Sequence, residues 1–386
     1  MNEKKIGFIK GLDRVCGSLL CNFISLFVRM SSRSSSSVPI AKGDYPHIRK
    51  ILVIRPGGIG DTVLFYPLLH HLKAEFPGAE LHILAEKRNS GVLNANHVAT
   101  KVLLYDRFST FDLFKVVAEG YNLVIDTEQY HNLSAIVAFL TASKYRCGFD
   151  TGKRGTLFTH RAPYSQEIYE IYSFLNLFSV LTGKETTFGR DEPFYPVDDQ
   201  HIRWARERLK RFGSENLSSG RMVVISPGAS IPERKWGAVK FASLAKWLVS
   251  EGMRVVIVGG KEDMDDAAII EREVAGDRVL NLAGQTSLPQ TAGIVSMADI
   301  YISSDTGILH IAYGVGTPTV HLFGPGILEK WAPVGRRYLA ITKSLECSPC
   351  TQYGYTPPCP RDAECMRLIT VEDVKEAITR VLNMRE

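Results

Sequence analysis

Twice along this chain an apolar, strand-like run ends in a glycine-bearing turn that opens directly into a helix-like segment. The first is Ile51-Leu52-Val53-Ile54, followed by Arg55-Pro56-Gly57-Gly58-Ile59-Gly60-Asp61 and a helix-like stretch over 62–76 closed by Pro77-Gly78. The second is 298–302, followed by Ser303-Ser304-Asp305-Thr306-Gly307-Ile308-Leu309-His310 and a helix running to Val315. Such a joint sets helix N-terminal amides at the carboxyl end of a strand, where open α/β sheets take up ligands and anions are favoured. Asp305 or Thr306 suits the N-cap. Gly307 admits a ligand close to the backbone, and His310 lies one turn into the same helix.

Around these two joints the pattern alternates. Strands are expected at 51–54, 80–84, 102–105, 122–126 and 144–148, with helices between them, and residues 160–182 read as a helix that closes this first half. After 185–220, which reads as a connection carrying a charged helix over 198–212, strands are expected at 222–226, 254–258, 278–282, 299–303 and 319–323. Helices are expected at 236–250, 263–275, 288–297, 306–315 and 370–382. Alternation of this kind predicts parallel sheets wrapped by helices. The expected fold class is α/β, with two Rossmann-like doubly wound lobes facing across a cleft. The expected boundaries are a basic N-terminal segment and Ser-rich linker at 1–47, a first lobe at 48–185, a connection at 186–220, a second lobe at 221–345, and a Cys-rich loop with a final helix at 346–386.

With 386 residues, 45% of them hydrophobic and 23% charged, the chain can fill two cores. Its net charge of +5 is uneven. Residues 1–50 carry nine Lys/Arg against three Asp/Glu (9 − 3 = +6), and the remainder 37 against 38 (−1). A nucleic-acid groove would need the basic excess on the body, so no nucleic-acid partner is expected. A basic N-terminus suits an anionic lipid face. Val15–Val28 is uncharged but shorter than the roughly 20 residues a bilayer span needs. At helical spacing Val15, Leu19, Leu20, Phe23, Ile24, Leu26 and Phe27 share one broad face, while Ser18, Asn22, Ser25 and Arg29 line the other. A helix lying in the membrane interface fits, giving peripheral contact through residues 4–29. A helix packed on the body and a signal peptide are the alternatives.

Seven Cys are too few for a disulfide scaffold. Four of them, Cys347, Cys350, Cys359 and Cys365, cluster in a Pro-rich loop, as either a small structural metal site or a thiol cluster stiffening that loop. Asp263-Met264-Asp265 has Asp-x-Asp spacing, but an acidic run opening a helix is favoured by the dipole. No catalytic metal and no cofactor are expected. Gly58-Ile59-Gly60 begins a dinucleotide fingerprint, yet Val63 stands where its third Gly or Ala belongs, which argues against a nicotinamide enzyme.

The Gly-Gly-Ile-Gly-Asp-Thr turn, the Ser226-Pro227-Gly228-Ala229-Ser230 segment with Arg234-Lys235-Trp236, Asp305-Thr306-Gly307 with His310, and Phe323-Gly324-Pro325 occur in this order across 51–325. Together they resemble glycosyltransferase family 9, the ADP-heptose:lipopolysaccharide heptosyltransferases. The resemblance implies a GT-B fold and an inverting, metal-independent transfer by single displacement. The implied donor is ADP-heptose and the implied acceptor a lipid-linked inner-core oligosaccharide, at the cytoplasmic face of the bacterial inner membrane. Another nucleotide sugar, or a non-catalytic sugar-nucleotide scaffold, remains an alternative.

Transfer requires a base for the acceptor hydroxyl and positive charge or amide donors for the departing diphosphate. The resemblance makes Asp61 the base, presented by a turn whose glycines are Gly58 and Gly60, although Asp61 could instead cap the following helix. It places a Lys two residues before the Trp, so here Arg234 takes that position with Lys235 beside it. Arg234, Lys235, Asp305, Thr306, Gly307 and His310 form the expected donor site, with Asp305 facing ribose, donor sugar or helix amides. Glu262, with Asp263 as alternate, is expected at the ribose. Acceptor contacts are expected from 86–98, 106–112 and 127–131.

Overall fold

The computed structural model describes residues 13, 17–30, 38–95, 97–104, 110–210, 220–274 and 276–384. The chain divides into two compact units, one ending at Phe188 and the other beginning at Gly189.

The first unit holds a six-stranded sheet: β1 (Lys50–Arg55), β2 (Glu80–Ala85), β3 (Lys101–Leu104), β4 (Leu123–Asp126), β5 (Tyr145–Phe149) and β6 (His160–Ala162). Every pairing is parallel and the order is β3-β2-β1-β4-β5-β6. Helices cover both faces of a parallel sheet, so its central strands are apolar throughout; β1 and β4 are buried almost end to end.

The second unit repeats the plan with β7 (Met222–Ser226), β8 (Arg254–Ile257), β9 (Val279–Asn281), β10 (Ile300–Ser304), β11 (Thr319–Leu322) and β12 (Tyr338–Ile341). Its order, β12-β11-β10-β7-β8-β9, is the same topology as the first sheet. Side chains alternate between two cores. Val223 and Ile225 face the one built with the helix Val371–Asn383, while Met222 and Val224 face the one built with the helix Asp199–Lys210. In both sheets the strand order reverses between the first and fourth strands. That is the topological switch point, and ligand crevices of doubly wound sheets open at its carboxyl end.

Several expectations need correction. Residues 160–182 are not one helix: β6 occupies 160–162 and the helix begins at Glu170. Each sheet has six strands, where five were read, because β6 and β12 are short edge strands. The 62–76 stretch is two helices, Ile59–Leu64 and Tyr66–Glu75, broken at Phe65 with Pro67 in the first turn of the second. Residues 105–109 and the Ser-rich linker at 31–37 lie outside the described residues.

The helix Ser18–Met30 packs against the 3-10 turn Gly152–Leu157 and the helix Asn132–Leu140. It is tethered from Asp13, whose buried carboxylate accepts from the backbone amides of Leu133 at 2.7 Å and Asn132 at 3.1 Å. The N-cap residue of that helix, His131, makes no side-chain cap, so Asp13 supplies the missing acceptor from a distant part of the chain. Among the described residues no helix is long and apolar enough to cross a membrane.

Candidate functional site

At the switch point of the first unit, β1 ends in Arg55 and β4 ends in Asp126, followed by Thr127-Glu128. Arg55 is 1% exposed, and its Nη1 donates across the crevice to the Thr127 carbonyl at 2.9 Å. Its guanidinium lies 5.4 Å from the Phe174 ring centre. The other terminal nitrogen, Nη2, stands 3.6 Å from Oδ2 of Asp61. Asp61 keeps 31% of its side chain exposed, so the carboxylate is held from behind by a buried cation and open in front.

The turn itself differs from expectation. The helix starts at Ile59 with Gly58 as N-cap, so Asp61 lies inside the first turn and does not cap it. Gly57, and not Gly58 or Gly60, occupies the left-handed region, at φ 118°. A Cβ at Gly57 would meet Arg55 Nη2 at 2.9 Å, so this glycine makes the space the guanidinium fills. Asn89 braces the turn, donating to the Arg55 carbonyl at 3.0 Å and to Thr62 Oγ1 at 2.8 Å. Residues 86–93 of the expected acceptor loops thereby sit beside Asp61's helix.

Behind Thr127 lies a polar cluster of which sequence reasoning named only the loop 127–131, as an acceptor contact. Arg154, 2% exposed, bonds Asp126 at 2.6 Å. Burial pushes the Asp126 carboxyl up to about 6, against the pull of Arg154. Burial also opposes the charged form of Glu128, but His131, Arg55 and Arg154 outweigh it and its pKa falls. Glu170 is buried and accepts from Gln129 at 2.6 Å and Tyr164 at 3.4 Å. The signal was present: acidic residues directly after the apolar run of β4, and an Arg at the end of β1.

At the switch point of the second unit, β7 ends at Ser226 and β10 at Ser304. Arg234 reaches across from the loop after β7 and pairs with Asp305, Nη1 to Oδ2 at 2.9 Å. Asp305 therefore faces Arg234, where ribose, sugar or helix amides were expected. Thr306 is the N-cap of the helix Gly307–Gly314, its hydroxyl accepting from the Leu309 amide at 3.3 Å. His310 is buried on this helix. Burial, then the neighbouring His310, drive the pKa of His321 down to about 3. The Phe323-Gly324-Pro325 segment comes to the same place, since a Cβ at Gly326 would meet Asp305 at 2.9 Å.

Lys235 turns aside to Asp266, at 2.9 Å, and this partner raises its pKa. Glu262 is exposed on the 3-10 turn Lys261–Asp263 after β8. Asp263 is buried; it accepts from the Gly260 amide at 2.8 Å and packs on Gly228 and Gly259. The acidic run that follows opens the helix Met264–Val274. Trp236 is a core residue, donating to the Ile369 carbonyl at 2.9 Å.

Cys347, Cys350, Cys359 and Cys365 are free thiols lining one small cavity with Pro325 and Arg361. Burial raises the pKa of Cys350 and Cys365. Among the described residues no group of three or more His, Cys, Asp or Glu is arranged to hold a metal ion.

The model of a family described as glycosyltransferase family 9 (heptosyltransferase) matches residues 111–359. Lipooligosaccharide heptosyltransferase 2 of Haemophilus influenzae is 23% identical over 84% of this chain and 90% of its own length. Lipopolysaccharide heptosyltransferase 2 of Escherichia coli K12 is 25% identical over 76% of this chain and 87% of its own. Among solved structures, the E. coli ADP-heptose lps heptosyltransferase II superposes with TM-score 0.69 at 21% identity, covering 87% of this chain and 99% of that one. A glycosyl transferase family 9 protein of Veillonella parvula superposes with TM-score 0.71 at 17% identity, covering 87% of this chain and 97% of that one.

Proposed function

Because the chain belongs to glycosyltransferase family 9, the heptosyltransferases, we propose that it moves heptose from ADP-heptose to a lipid-linked inner-core acceptor with Asp61 as general base. The observation that carries this reading is the pairing of Asp61 with Arg55 at the first unit's switch point. A base needs a carboxylate that is oriented and reachable. Arg55 supplies fixed positive charge from the buried side, and the exposed side is left to the acceptor hydroxyl.

The second unit supplies the donor side. The opening amides of the helix Gly307–Gly314 lack intrahelical acceptors and suit a diphosphate. Arg234 provides the adjacent cation, shared with Asp305. Glu262, exposed on the turn that follows β8, is free to meet ribose hydroxyls. As the β-phosphate oxygen leaves the anomeric carbon, these groups stabilise its charge. Asp61 takes the proton of the acceptor hydroxyl that attacks the opposite face, inverting the centre. A lipid-linked acceptor places the enzyme peripherally at the cytoplasmic face of the inner membrane.

Calorimetry with ADP, ADP-heptose, UDP-sugars and GDP-sugars, without added metal, tests the donor. Selective binding of the adenine nucleotides that is lost in Arg234→Ala is expected. Preference for a uridine or guanosine sugar would discard the heptose assignment, and absence of binding to all four would favour a scaffold that does not use a sugar nucleotide.

A further inference from the structure

We propose that the outward stripe of the helix Ser18–Met30, with the adjoining helix Asn132–Leu140, is a docking face for an anionic lipid bilayer. The surface helix is mounted the wrong way round for water. Cys21 and Ser25 face the body at 1% and 4% exposure, and Ser25 satisfies its hydroxyl on the Asn22 carbonyl at 2.8 Å. On the opposite side Leu19, Phe23 and Leu26 are 65%, 72% and 60% exposed. These three recur at four- and three-residue intervals, so they form one stripe, with Leu20 at its margin. A surface helix ordinarily turns its apolar stripe inward and its polar side to solvent. Here Cys21, Ser25 and the half-buried Ile24 take up the packed side, and a second apolar stripe of Leu and Phe is left bare.

The neighbouring helix extends the apolar area. Asn132–Leu140 carries no charge and exposes Leu133 and Leu140. The helix Thr110–Ala118, which packs beside it, exposes Phe114. Apolar groups concentrated in this way mark a surface that something covers.

Charge identifies the occupant as lipid. In the sequence Lys4, Lys5, Lys10 and Arg14 precede this helix and Arg33 follows it, and the exposed Lys153 sits on the turn beneath the helix. An apolar stripe flanked by basic residues suits a bilayer with anionic headgroups. The Asp13 carboxylate fixes the helix to the residues that follow the loop 127–131. The docking face and the candidate acceptor loop are therefore continuous in the chain, which brings a lipid-linked acceptor to the switch point of the first unit. This deepens the function proposed above, but its test needs no transfer reaction.

The test is flotation of the full chain with vesicles of phosphatidylcholine, with and without phosphatidylglycerol. Binding to the phosphatidylglycerol vesicles that weakens with salt is expected. The triple substitution Leu19→Ser, Phe23→Ser, Leu26→Ser should lower the bound fraction at least about tenfold. ADP affinity and the thermal midpoint should stay unchanged, since all three side chains are exposed. Wild-type protein that binds neither vesicle, or a variant that binds as well as wild type, overturns the proposal. So does a wild-type dimer in light scattering that the triple substitution makes monomeric, which would assign the stripe to a second copy of the chain. Vesicle binding without ADP-heptose recognition would leave the docking face standing and remove the donor assignment. Transfer to a detergent-dispersed acceptor without vesicle binding would do the reverse.

Discussion

Arg55 and Asp61 stand 3.6 Å apart, the guanidinium 1% exposed and the carboxylate 31% exposed. Arg55 is locked by the Thr127 carbonyl at 2.9 Å, so it is a fixed cation to which the more open Asp61 is referred. On the proposed role, Asp61→Asn keeps the shape of the site and removes the base. Transfer should fall about 10²- to 10⁴-fold with ADP affinity unchanged. Arg55→Met should lower kcat while leaving the donor KM nearly as it was, because it acts on the orientation of Asp61. Steady-state kinetics with both substrates varied distinguishes these outcomes. A rise in donor KM without loss of kcat would remove both residues from the chemistry.

The two basic residues ahead of Trp236 should differ in weight. Arg234 is largely buried against Asp305 at the opening of the Gly307–Gly314 helix, whereas Lys235 is held by Asp266 with more than a third of its side chain exposed. Arg234→Ala should weaken ADP binding at least about tenfold, roughly 1.4 kcal/mol. Lys235→Ala should change it by less than about threefold. Calorimetry on the two single variants decides the order, and a larger loss at Lys235 would mean that its Asp266 pair opens when the diphosphate arrives.

The central strands and the two switch-point motifs were legible because each is contiguous in sequence. An apolar run such as Ile51–Ile54 followed by glycines carries its own strand–turn–helix signature. β6 was not legible, since His160-Arg161-Ala162 is a three-residue edge strand with no apolar run. β12 is short and only partly buried. The early start of Asp61's helix was hidden by glycines that resemble a loop. Arg234 and Asp305 could be singled out separately as candidates, but their mutual pairing depends on strands β7 and β10 lying side by side. Likewise Asp13 gives no local sign that it caps the helix Asn132–Leu140. Contacts of this kind belong to tertiary structure, and sequence pattern sees only their endpoints.

Gly228 offers a test of how tightly the loop after β7 is built. A Cβ at that position would lie 1.7 Å from Asp263 Oδ1, and the same carboxylate is fixed by the Gly260 amide at 2.8 Å. Asp263 cannot move without abandoning that amide. Gly228→Ala should therefore cost about 1–3 kcal/mol in urea denaturation. A variant as stable as wild type would show that Asp263 is not the wedge between the β7 and β8 loops.

His321 predicts a component of acid sensitivity. It is fully buried on β11, bonded to Thr319 Oγ1 at 3.0 Å and packed on Phe323, and its pKa falls from an ordinary 6.5 to about 3. Above pH 6.5 the ring is neutral whether the chain is folded or not, so it contributes no pH dependence there. As the pH falls below 6.5 the unfolded chain takes up a proton that the folded chain refuses. Stability is then lost progressively until the folded ring also protonates near pH 3. The full difference of about 3.5 units corresponds to a ceiling of roughly 5 kcal/mol, a fraction of which is lost by about pH 5. Replacing the ring by His321→Leu removes the titration at this position and leaves the other histidines in place. Thermal midpoints measured between about pH 7 and pH 5 should fall more steeply for wild type than for His321→Leu. Parallel slopes would show that water or a rearranged neighbour lets the imidazole protonate within the fold.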